Sequence, residues 1–123
     1  MRYDADRAPN ADRWLELDEA ERLDAVRRYH KGTGLKGDRA QLHAVVHTAV
    51  ENQLAEGHPA AGSALERLIA EGLGRHDAVH AIGVALSEQL LAAAKGRAFD
   101  AAQYESALRA TTAASWRALE ETE

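Results

Sequence analysis

Glycines cut this chain into pieces of helical length. Gly32 with Gly34, then Gly57, Gly72 with Gly74, and Gly96 each close a stretch in which apolar residues recur at three- and four-residue steps. A chain punctuated in this way is limited to packed helices. Abundant Ala and Leu, with only 5% aromatic residues and few β-branched ones, point the same way. The expected architecture is all-α: one domain over residues 1–123, a bundle of about five helices preceded by an extended N-terminal arm.

The arm covers residues 1–16, carries Pro9 and Asn10, and is expected to be anchored by Trp14 and Leu15. Helices are predicted over 18–31, 39–56, 59–71, 75–95 and 100–120. Asp18 with Glu21, and Asp100 with Gln103, have capping-box spacing, and Pro59 suits a first helical turn. Leu23, Val26 and Tyr29 or His30 should face inward from the first helix, and Leu42, Val45, Val46, Ala49, Val50 and Leu54 from the second. Leu65, Leu68 and Ile69 should do so from the third. The fourth is apolar nearly all round through Val79, Ile82, Val84, Leu86, Leu90 and Leu91, which marks it as central. The fifth should bury Tyr104, Leu108, Trp116 and Leu119.

Several function classes fall away on composition. With a formal charge of -5 and acids and bases interspersed, no basic stripe is available to neutralise a phosphate backbone, so nucleic acid is not an expected partner. The chain has no cysteine, which removes disulfides, thiolate ligands and cysteine nucleophiles; any metal must be held by nitrogen and oxygen. No apolar run approaches the roughly 20 residues that span a bilayer, and the N-terminus lacks an apolar signal region, so the expectation is a cytoplasmic protein without a membrane partner. Gly-rich phosphate loops, a nucleophile elbow and the His-Glu-x-x-His protease motif are all missing.

What stands out is the histidines. Six are present, and four form two His-x-x-x-His pairs, His43/His47 and His76/His80. Random placement would give roughly 0.24 such pairs, making two pairs about a 3% event. Residues four apart share a helix face, so each pair can aim two imidazoles at one point. On a helical wheel His43 and His47 fall at about 100° and 140° from Leu42, at the edge of the expected apolar stripe. Short connections imply that the second and fourth helices run parallel, with both pairs at matching height near the N-terminal ends, and Gly83 and Ser87 should permit close approach. Glu51 extends the first pair as a carboxylate ligand or as an acceptor for an imidazole N–H. His30, at the end of the first helix, can enter from a third direction. Glu88 is about 12 Å of helix rise beyond His80 and is set aside, as is His58, a surface residue or cap.

The segments LHAVVHTAVENQLAEG (42–57) and AEGLGRHDAVHAIG (70–83) resemble a family of small bacterial all-helical proteins known as a domain of unknown function, and that resemblance implies no activity. More loosely, His47-x-x-x-Glu51 and His76-x-x-x-His80 are similar to the middle motifs of the hemerythrins, where such residues hold two irons in a four-helix bundle. Region 100–120 contains no histidine for the final hemerythrin motif. What this similarity implies is a set of ligands able to hold one or two transition ions.

The expected function is therefore a transition-metal site (Zn, Fe, Ni or Cu) built from His43, His47, His76, His80, Glu51 and His30, serving metal-assisted hydrolysis or oxygen chemistry on a small-molecule substrate. The alternative is a non-enzymatic interaction or sensor module in which the histidines form a buried network or staple a homo-oligomer.

Overall fold

The computed structural model describes residues 2–30 and 37–122. Among these it contains seven helices and no strand: α1 (Ala11–Glu16), α2 (Glu19–Tyr29), α3 (Gly37–Ala55), α4 (Pro59–Ala70), α5 (Arg75–Ala94), α6 (Ala101–Ala110) and α7 (Ala113–Thr122). The all-α expectation holds, with seven helices in place of five. None of the helices is long and apolar enough to cross a membrane. The predicted stop at Gly32 and Gly34 lies outside the described residues.

Local signals explain most boundaries. Both arms of the Asp18/Glu21 capping box form at the start of α2. Pro59 opens α4 behind His58, whose Nδ1 accepts from the Ala61 N–H at 3.2 Å. Gly57 and Gly96 turn the chain out of α3 and α5 at φ of +76° and +82°, which glycine adopts at no steric cost.

Two expected elements differ. The N-terminal arm is not wholly extended: Asn10 caps the N–H of Arg13 and starts α1, six residues long and too short to show a period. Trp14 anchors it, fully buried, with its indole N–H donated to Asn52 at 2.9 Å, while Leu15 is exposed. Arg22 ties the same turn down by donating to the carbonyls of Trp14 and Leu15. The last predicted helix is in fact two, broken between α6 and α7. Thr112 and Ser115 there cap each other's backbone N–H at 2.9 and 3.0 Å, a local alternative that competes with helix continuation.

Helix α5 is central, packed against α3, α4 and α6. One apolar cluster joins Val50, Leu68, Ile82, Leu86, Tyr104 and Leu108; a second joins Tyr3, Ala5, Trp14, Val26 and Ala44. Several apolar residues expected inside are on the surface: Leu42, Val45, Ile69, Val84, Leu91 and Leu119. The buried face of α3 is instead Ala44, His47, Thr48, Val50 and Glu51. It is rotated toward the histidine side of the wheel, because α1, α2 and α5 all pack on that side.

Helices α3 and α5 are neighbours but do not lie in parallel register. His43 meets the ring of His80, whereas Glu51, about 12 Å further along α3, pairs with Arg75 at the very start of α5. Along this face positions therefore advance on α3 as they recede on α5, and Gly83 permits close packing between the two: a Cβ there would come within 2.9 Å of Val46 Cγ1. A side chain at 83 would push the two helices apart.

Candidate metal centre

Three helices deliver five imidazoles to one place. His30 comes from the C-cap of α2, His43 and His47 from α3, and His76 and His80 from α5; one ring nitrogen of each lies within 4.8 Å of all the others. The packing of α3 against α5 brings the two pairs together, and the end of α2 closes the third side. His30, expected as an extra ligand from a separate direction, belongs to the group on equal terms.

Hydrogen bonds fix the tautomers of two rings. The Nδ1 of His30 is 2.8 Å from the Val26 carbonyl, which can only accept, so Nδ1 carries the proton and Nε2 presents its lone pair to the cluster. His47 is held by a longer chain. Its Nε2 is 2.7 Å from the Tyr3 hydroxyl, and that hydroxyl donates its single proton to Glu51. Tyr3 therefore accepts from a protonated His47 Nε2, and the lone pair of His47 is on Nδ1, buried and without a partner. Nε2 of His43 is likewise buried and unpartnered.

The remaining contacts leave part of the cluster unmet. His76 Nε2 is 3.3 Å from His30 Nε2 and 3.0 Å from His80 Nε2. A proton on His76 Nε2 can be shared between those two rings, but it reaches neither His43 Nε2 nor His47 Nδ1, which stay buried without partners. A cation in the middle would satisfy all of these atoms together. Electrostatics suit it: burial first, then repulsion from the neighbouring imidazoles, holds His47 down to about 2 and His80 to about 3. His30 and His43 are lowered as well, again chiefly by burial. These rings are neutral at pH 7, the form that binds a metal.

Glu51 is not among the converging ligands. Its two oxygens take a bidentate pair from Arg75 at 2.8 Å each, and one of them also accepts from Tyr3. Arg75 donates in addition to the Ala5 carbonyl at 3.0 Å, tying the N-terminal arm to α5. Glu51 thus reaches His47 only through the Tyr3 hydroxyl and accepts from no imidazole N–H directly. Glu88, set aside as a ligand, is exposed, and His58 caps α4, one of the two roles expected of it.

Tyr3 and Arg75 were not legible as site residues. Arg75 did leave a trace, since a cation in the first turn of a helix opposes the helix dipole and calls for a carboxylate partner. Tyr3, separated from His47 by 44 positions, left none. Trp116, expected in the core, stands beside the site with its ring 6.1 Å from that of His80. It shares with His43, His47 and His80 a cavity of about 500 Å³ between α3, α5 and α7, and its indole N–H is buried without a partner.

Set against protein-family models, curated proteins and solved structures, the chain matches none.

Proposed function

We propose that this protein binds a single transition-metal ion through His30, His43, His47, His76 and His80. The observation that carries this reading is the convergence of five imidazoles, two of which, His43 and His47, hold a buried ring nitrogen with no hydrogen-bond partner. The distances fit. Nitrogens bound to one ion at about 2.1 Å lie about 3.0 Å apart at a right angle and about 3.4 Å apart in a tetrahedron. The His76–His80 and His30–His76 contacts are 3.0 and 3.3 Å. Opposite ligands reach at most about 4.2 Å apart, so the largest spacing of 4.8 Å closes by roughly half an ångström on binding.

An all-imidazole set selects Zn, Fe, Ni or Cu over Mg or Ca. With Glu51 engaged by Arg75 and Tyr3, no carboxylate bridges a second ion, so the reading is mononuclear, unlike the hemerythrins. Five imidazoles leave an octahedral ion one position, where metal-assisted hydrolysis or oxygen chemistry would take place.

The test is metal content per chain in untagged protein repleted in turn with each of the four ions, with His47→Ala and His80→Ala as variants. One equivalent in the wild type and strong loss in both variants is the expected result. A wild type that retains no ion under any condition would overturn the metal reading and leave the alternative, a non-enzymatic interaction or sensor module with a buried imidazole network.

A further inference from the structure

We infer that the cavity beside the five histidines is a binding site for a small carboxylate with an apolar body, one carboxylate oxygen on the metal and the other accepting from the Trp116 indole N–H. The inference rests on the metal reading above and adds the ligand.

Charge comes first. A divalent ion among neutral imidazoles carries two uncompensated positive charges in a site where His47 is buried and the other four histidines are half-buried. Glu51, linked to His47 through Tyr3, cannot offset them, because it is already matched by Arg75 in a bidentate pair whose side chains are 0% and 9% exposed. An exogenous anion is what the charge balance lacks.

The shape of the cavity sets the rest of the ligand. Its volume of about 500 Å³ far exceeds a water or hydroxide and falls in the range of pockets for small organic ligands. Apart from the three histidines its walls are mainly apolar: Leu42, Val46, Val79 and Val84, with Gly83 where α3 packs closely. Leu42 and Val84 are large apolar residues left exposed at 57% and 45%, so the apolar lining continues out to solvent. The Trp116 N–H is a donor with no acceptor role, buried and unpartnered, on a ring lying against His80. A carboxylate satisfies the ion and this donor together, and an alkyl or aryl tail covers the apolar wall.

The experiment uses the full chain loaded with Co(II), whose visible spectrum reports changes in its ligands, and titrates it with octanoate, acetate and 1-octanol, measuring cobalt content on the same samples. Octanoate should perturb the cobalt spectrum and bind at least about tenfold more tightly than acetate, because acetate buries no chain methylenes. Octanol should leave the spectrum unchanged. At equal cobalt content, Trp116→Phe should weaken octanoate about tenfold, the loss expected for one hydrogen bond to a charged acceptor. Val84→Trp, at an exposed position that tolerates bulk, should obstruct octanoate far more than acetate. Full cobalt with no preference for octanoate over acetate, or an unchanged affinity in both variants, overturns the carboxylate site while leaving the metal reading intact. Failure of the wild type to take up cobalt, or any of the four candidate ions, overturns both.

Discussion

Gln89 and the five histidines are polar groups enclosed by the same helix bundle, and the fold treats them in opposite ways. The Gln89 side chain is 2% exposed and satisfied at both ends: its amide donates to Gln103 at 2.8 Å, and its carbonyl accepts the Asp100 N–H at 2.7 Å. It locks the start of α6 to α5. The histidines, gathered against the same α5, leave His43 Nε2 and His47 Nδ1 without partners and crowd three Nε2 atoms around what can be no more than one shared proton. A buried group kept for structure has its hydrogen bonds made, and unmet ones are expensive. The contrast between these two places on α5 and its neighbours separates scaffold from site.

The Arg75–Glu51–Tyr3 chain lies between these extremes, paired at every group except the buried Arg75 Nε–H and attached to His47, and breaking it should have the largest effect. Glu51→Gln leaves the Arg75 guanidinium buried without its countercharge and should cost about 3–5 kcal/mol in chemical denaturation, with or without metal. A loss under 1 kcal/mol would mean that water already screens the pair. Next comes Gln89→Leu, which strips the Asp100 N–H and Gln103 of their partner. It should lower stability by about 1–3 kcal/mol while leaving metal content at the wild-type level. Loss of metal in this variant would collapse the distinction between the two regions.

How much of this was legible beforehand follows from the range of each interaction. Helix starts at Asp18, Pro59 and Asp100 and stops at Gly57 and Gly96 are written within four residues, so spacing alone reveals them. The two histidine pairs are legible for the same reason. The α6/α7 break was marked by Thr112 and Ser115, but its weak cap competes with apolar periodicity that continues through Trp116. What could not be read were pairings across the fold: Tyr3 with His47, Arg75 with Glu51, Gln89 with Asp100. The Asp100/Gln103 pattern shows the limit, since Gln103 contributes its backbone N–H to the cap while its side chain turns to Gln89. Spacing also placed α3's inward face on its apolar residues, whereas the site draws His47 and Glu51 inside and leaves Leu42 out.

Two smaller effects sharpen the comparison. Tyr3→Phe keeps the ring and removes the oxygen that accepts from His47 Nε2, so the Nδ1 lone pair is no longer enforced. Metal affinity should fall about 10- to 100-fold, measured by competition with a chelator. Equal affinity would mean that the tautomer is set by packing alone. In the metal-free protein, stability should decline as pH falls below 6.5. The unfolded chain then takes up protons that folded His47, held to about 2, and His80, held to about 3, refuse. The contribution is complete above about pH 6.5 and is progressively lost toward those folded values. Thermal melts from pH 7 to pH 5 should show the drop in wild type and in Gln89→Leu alike, and a shallower one in His47→Ala. A steeper dependence in Gln89→Leu than in wild type would place the titrating groups elsewhere.

Imidazole nitrogen NMR of the untagged protein, before and after one equivalent of Zn(II), asks most directly whether the five rings hold an ion. The account predicts that resonances of His30, His43, His47, His76 and His80 shift together, that His47 reports ligation through Nδ1, and that His58, bound to its helix cap, stays in place. Shifts that leave the five rings untouched, or that appear at His58 as strongly as at His47, would contradict it.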